Sequence, residues 1–150
     1  MNADRVNADR VNAEPMSGEP MSAEQRNGAG MRLHHVQVSC PPGGEDPARA
    51  FYGGVLGLPE VDKPPALAAR GGAWFRSADG QVEVHVGVEA DFAPARKAHP
   101  AFCVDDIDEL AARAASAGFQ VSWDELFPGY RRFHTADGNG NRVEILTPVR

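Results

Sequence analysis

Apolar and polar positions along this chain follow two periods, and the alternation of those periods divides residues 32–148 into two similar runs. In 33–39, Val36 and Val38 fall on one side of an extended segment and His35, Gln37 and Ser39 on the other. Residues 81–88 alternate in the same way, with Val82, Val84, Val86 and Val88 opposing Glu83, His85 and Gly87. Between them the period lengthens. A helix is expected over 46–56, with Asp46 as N-cap, Pro47 at the first helical position, Phe51, Val55 and Leu56 as its apolar face, and Gly57 as its stop. The Pro-rich stretch 59–65 precedes expected short strands at 66–69 and 73–77, and Ala78-Asp79-Gly80 turns the chain into the strand 81–88.

The second run repeats this order. A strand is expected at 99–104, with Phe102 and Val104 opposing His99, Ala101 and Cys103. Asp105 is expected to cap a helix reaching 117, in which Ile107, Leu110, Ala111 and Ala114 recur at helical spacing and Gly118 ends it. Strands follow at 119–123 and 130–136. The turn Asp137-Gly138-Asn139-Gly140 leads into the last strand, 142–147, where Val143 and Ile145 oppose Arg142, Glu144 and Leu146. Joined by the linker 89–97, the runs make an α+β chain of two βαβββ modules, about 32–90 and 98–148, within one domain, 31–150. Four strands carry an apolar face suited to packing beneath helices. The opposite faces carry His35, Glu83, His85, His99 and Glu144, all metal-ligating types, and His35 and His99 recur at nearly the separation of Glu83 and Glu144. The pattern points to a polar cavity at the junction of a duplicated fold.

Residues 1–30 stand apart. They read as five-residue units such as Asn2-Ala3-Asp4-Arg5-Val6 and Asn7-Ala8-Asp9-Arg10-Val11, a period that fits neither helix nor strand. Without aromatic residues they bury too little apolar surface to offset ordering, and a disordered tail is expected. The net charge of −6 and the lack of a basic run argue against nucleic acid and acidic membrane surfaces as partners. No apolar run is long enough to span a membrane and no secretory signal is evident, so a cytoplasmic protein is expected. Cys40 and Cys103 make no disulfide framework and read as reduced thiols.

With these elements placed, the chain resembles the vicinal oxygen chelate superfamily of glyoxalases, bleomycin-resistance proteins and extradiol dioxygenases. The resemblance rests on Leu33-His34-His35-Val36-Gln37-Val38, on Ala50-Phe51-Tyr52-Gly53-Gly54-Val55-Leu56-Gly57-Leu58, on His99 through Leu110, and on the stretch from Arg132 through Asp137-Gly138-Asn139-Gly140 to Glu144. Gly138 stands where the family's turn usually has proline. The resemblance implies two βαβββ modules forming a curved mixed sheet around a metal or ligand cavity, and a homodimer. By position it implies His35, His99 and Glu144 as metal ligands. A fourth ligand falls on Glu83, with His85 on the same face as its competitor, and the site is open to formation within one chain or across two.

Two imidazoles and one or two carboxylates suit Zn, Ni, Co, Mn or Fe(II) rather than calcium. A divalent metal holding two adjacent substrate oxygens acidifies a neighbouring C–H bond, and Glu144 or Glu83 is the candidate to move that proton. Such a site acts on a small metabolite with vicinal oxygens, by isomerase or lyase chemistry or, with Fe(II), as a dioxygenase. The alternative is a non-catalytic small-molecule-binding protein of the bleomycin-resistance type. Other side chains have plainer readings. His34 faces away from His35, and His134 reads as a strand-surface or rim residue. Phe51, Tyr52, Trp74, Phe75 and Trp123 read as packing. Cys103 shares the polar face without a base beside it, and Arg131 and Arg132 are a solvated pair or an anion receiver.

Overall fold

The computed structural model describes residues 30–149. The five-residue units lie outside the described residues. The first strand, β1 (Val36–Cys40), leads into α1 (Glu45–Ala48), which continues directly into a wider π-helical segment, Arg49–Val55. Next come β2 (Glu60–Val61), α2 (Pro65–Ala68), β3 (Ala73–Arg76) and β4 (Glu83–Val88). The second half holds β5 (Ala101–Cys103), α3 (Ile107–Ser116), β6 (Ser122–Asp124), β7 (Tyr130–Ala136) and β8 (Arg142–Pro148).

The α+β class and the paired modules follow the pattern read from the sequence. Hydrogen bonding sorts the strands into two open four-stranded sheets, β1-β4-β3-β2 and β5-β8-β7-β6. In each, the outer strand runs parallel to its neighbour and the remaining pairs are antiparallel. The apolar faces carry Phe75, Val84 and Val86 in one sheet and Phe133, Val143 and Ile145 in the other, all essentially fully buried. Each such side chain contributes roughly 1.5–3 kcal/mol by leaving water. Phe51, Tyr52 and Val55 of the π-helical segment and Ile107 and Leu110 of α3 cover them, forming one continuous core.

Several expected boundaries shift for physical reasons. Helix α1 starts after Gly44 rather than Asp46, because Glu45 turns back to accept a hydrogen bond from the Gly72 amide while Asp46 pairs with Arg49. The expected strand at 66–69 is instead α2. Pro64 is extended, Pro65 sits in the first turn, and the following Ala-Leu-Ala favours helix. Helix α3 is capped by Asp106, not Asp105; its carboxylate accepts the Glu109 amide at 2.8 Å. Phe119 belongs to the end of α3, its amide bonded back to the Ala114 carbonyl, so β6 begins only at Ser122. His35 and His99 both precede their strands.

The two modules are joined through the turn before β8. Asp137 is buried and accepts from the Asn139 and Asn141 amides with Oδ1 and from the Tyr52 hydroxyl and Asn141 Nδ2 with Oδ2. Asn139 Nδ2 reaches the Gly44 carbonyl and Asn141 Nδ2 the Ser39 carbonyl. Phe51 also meets Phe119 edge-on at 5.1 Å. Gly138 has a reason here: a Cβ at this position would run into the Pro47 backbone. Gly138→Ala is therefore expected to cost about 1–3 kcal/mol through overpacking, read as a lowered midpoint in chemical denaturation.

Candidate metal centre

Strand register places the polar side chains. In the second sheet Ala101 lies opposite Glu144, and His134 lies opposite Glu144 on its other side. Glu144 is thus flanked by β7 and by the segment entering β5, with His99 two residues before Ala101. The His99 ring curls back so that Nε2 lies 2.9 Å from Glu144 Oε2, and His134 Nε2 lies 3.3 Å from the same oxygen. One atom from each of His99, His134 and Glu144 falls within 4.8 Å of the others, the one such group of metal-ligating side chains among the described residues.

The second contacts orient this group. His99 Nδ1 lies 2.8 Å from the Lys97 carbonyl oxygen, which can only accept, so Nδ1 carries a proton. With Nδ1 so engaged, Nε2 is the nitrogen that meets Glu144 Oε2, as a hydrogen-bond donor without an ion and as a ligand beside that oxygen with one. Arg132 donates to Glu144 Oε1 at 3.2 Å and to Asp124 at 3.2 Å, leaving Oε2 for the imidazoles. Burial pushes the Glu144 carboxyl up, but the hydrogen bonds from His99 and Arg132 outweigh it and hold the group below its ordinary value. Burial pushes His134 down, and the nearby Arg142 charge adds to this, favouring the neutral, ligating imidazole. The donor set of two imidazoles and one carboxylate fits a divalent transition metal.

The first sheet carries a different arrangement. Glu83 is buried, with Oε2 on Arg76 at 2.7 Å and Oε1 on His85 Nε2 at 2.7 Å. His85 stacks on Trp74, centroids 3.8 Å apart, and His35 stacks on the other face of His85 at 4.0 Å. Its burial pushes His85 down toward the neutral form. His35 and Glu83 line a small cavity of about 110 Å³ together with Pro100 and Ala101. Of the five side chains expected as ligands, His99 and Glu144 come together, and Glu83, His85 and His35 form a separate cluster. His134, read from the sequence as a rim residue, completes the first group.

Register also changes the reading of the repeat. Phe75 opposite Val84 corresponds to Phe133 opposite Ile145, so Glu83 and Glu144 are equivalent. Val36 lies opposite Val84 and Phe102 opposite Ile145, so the counterpart of His35 is Ala101 and that of His99 is the exposed Leu33. The carboxylates are duplicated and the histidines are not. Among the remaining candidates, Cys40 is buried and Cys103 exposed, both as free thiols. Arg131 is held by Asp108 in a bidentate pair at the surface.

The Arg76 hydrogen bond, outweighing burial and aided by His85, holds the Glu83 carboxyl down at about 2, against an ordinary value of 4.5. A depressed carboxyl stabilises the fold above the ordinary value, and that contribution is lost as pH falls toward the folded one. Glu83→Gln is expected to lower the melting temperature at pH 7, with the gap to the unaltered protein closing as pH falls from 4.5 toward 2. Melting curves across this range check it.

A family model described as the Glyoxalase/Bleomycin resistance protein/Dioxygenase superfamily matches residues 32–145. A glyoxalase family protein from Bacillus anthracis is similar at 43% identity and a TM-score of 0.75, over 79% of this chain and 96% of that one. A lactoylglutathione lyase from Agrobacterium tumefaciens is 22% identical, with a TM-score of 0.58 over 77% of this chain and 92% of its own. An antibiotic-binding protein from a Streptomyces species is 20% identical, with a TM-score of 0.62 over 79% of this chain and 99% of its own. Comparison with curated proteins found no match. No helix among the described residues is long and apolar enough to cross a membrane.

Proposed function

The chain belongs to the Glyoxalase/Bleomycin resistance protein/Dioxygenase superfamily, and from that premise we propose that it is a metal-dependent enzyme acting on a small metabolite with vicinal oxygens. The observation that carries this reading is the convergence of His99, His134 and Glu144 within 4.8 Å. His99 Nε2, His134 Nε2 and Glu144 Oε2 would hold the ion. His35, with Glu83 or His85, would complete the site from module one of the same chain or of a second copy in a homodimer.

A divalent metal bound there supplies Lewis acidity to two neighbouring substrate oxygens, which acidifies an adjacent C–H bond. The Lys97 carbonyl keeps His99 in its ligating tautomer, and Arg132 keeps Glu144 turned toward the imidazoles. Glu83, held near 2 by Arg76, is a weak base at neutral pH. His85 suits proton transfer better: burial favours its neutral form, Trp74 braces it, and the Glu83 carboxylate at 2.7 Å would stabilise the imidazolium it becomes.

The test is turnover by the metal-loaded chain. Hemithioacetals of methylglyoxal are offered to the Zn, Ni, Co and Mn forms, and catechols under air to the Fe(II) form. Metal-dependent turnover in either arm, abolished by His99→Ala, supports the enzyme reading. A second reading, non-catalytic ligand binding, draws support from the antibiotic-binding protein of the same fold. Tight binding of an organic ligand by metal-free protein, unaffected by His99→Ala and without turnover, favours that reading.

A further inference from the structure

A second polar recess adjoins the metal group. It has a volume of about 360 Å³ and shares His134 with that group. Its other polar walls are Arg96, Gln120, Ser122, Thr135 and Arg142, with no carboxylate among them. This is unusual in a chain whose net charge is −6. The arginines closest to the two carboxylates are engaged, Arg76 by Glu83 and Arg132 by Glu144 and Asp124. Arg96 and Arg142, by contrast, have no ion-pair partner among the described residues, and Arg142 is fixed by its backbone amide bond to the Ala95 carbonyl.

Register sets the distance to the metal group. Ser122, His134 and Glu144 form one row across β6, β7 and β8, and Arg142 lies two residues before Glu144 on the same face. Two residues along a strand span roughly 7 Å. Arg142 also lines the neighbouring recess of about 510 Å³ that contains His99, so it borders both sides of the metal group.

We propose that Arg96 and Arg142 form an anion subsite that holds a carboxylate, phosphate or phosphonate of a small ligand while its other oxygens, a few bonds away, reach His99, His134 and Glu144. Two guanidinium groups beside Ser122 and Gln120 donors suit an oxyanion, and the size of the recess restricts it to a small molecule rather than a polyanion. The inference deepens the proposed function only in directing the rest of the ligand toward the metal group; the anion subsite stands on its own residues.

The test uses the full chain without metal, titrated calorimetrically with inorganic phosphate, methylphosphonate and acetate at ionic strength held constant with chloride. Saturable binding is expected for at least one of them, weakened about tenfold or more in both Arg96→Gln and Arg142→Gln, as expected for a lost charge-assisted hydrogen bond. The preferred anion separates tetrahedral from trigonal groups. Arg113→Gln, altering an exposed cation on α3 outside the recess, should leave binding unchanged, and melting curves confirm that each variant is folded. Metal binding is measured separately: His99→Ala should lose metal and keep the anion, so the two claims fail independently. No saturable binding of any of the three anions, or an equal loss in Arg113→Gln, overturns the subsite.

Discussion

His99→Ala and Glu144→Gln should each weaken divalent-metal binding by at least about 100-fold. Removing a partner that merely orients a ligand already costs roughly 10–100-fold, and each of these changes removes a ligand atom itself. His99 contributes an Nε2 whose tautomer is fixed from behind by the Lys97 carbonyl, so alanine leaves no substitute nearby. Glu144→Gln keeps the side chain's size but removes the charge on which both imidazoles and Arg132 converge. His134→Ala should behave likewise, although the sequence alone did not single it out. Asp62→Asn should leave affinity unchanged, because Asp62 is exposed and belongs to neither polar cluster. Competition with a chromophoric chelator measures all four.

Asp137→Ala should be the most destabilising polar substitution, by about 4 kcal/mol, the sum of two or more buried donors left without acceptors. The Tyr52 hydroxyl and Asn141 Nδ2 both donate to Oδ2, and the Asn139 and Asn141 amides to Oδ1. Burial and the neighbouring Asp137 push the Tyr52 hydroxyl far up, so it stays a donor at all ordinary pH values. Removing the donor instead is milder. Tyr52→Phe should cost about 1 kcal/mol, because the carboxylate keeps three of its four partners. For a domain of this size, 4 kcal/mol lowers the melting temperature by roughly 10–20 °C. The effect extends to function, since this turn sets the β7–β8 register that puts His134 opposite Glu144. Asp137→Ala should therefore weaken metal binding as well, although Asp137 does not belong to the metal group.

The strands that carry the site were legible because their apolar faces alternate cleanly. Val84 and Val86, and Val143 and Ile145, fixed which side of each sheet is covered, and so placed Glu83 and Glu144 on the opposite side. The turn before β8 was legible from its Asp-Gly-Asn-Gly spelling. The short elements were not. Local choices decide them, such as Glu45 bonding Gly72 rather than leaving the cap to Asp46, and Pro64-Pro65 starting a helical turn where a strand was expected. The histidines misled in another way. Similar spacing suggested duplicated ligands, but a side chain just outside a strand is not held to its register, and His99 reaches Glu144 from two residues before the start of pairing with β8. His134 could have been found: folding the chain about the Asp137–Asn141 turn pairs residue 134 with 144, a count available from the turn alone.

The most direct measurement is a crystal structure of the chain soaked with Zn²⁺ or Mn²⁺, with anomalous scattering used to locate the ion. The expected result is one ion within about 2.0–2.2 Å of His99 Nε2, His134 Nε2 and Glu144 Oε2, with Arg132 still on the other carboxylate oxygen. An ion bound away from these three atoms, or His99 still hydrogen-bonded directly to Glu144 at saturating metal, would contradict it.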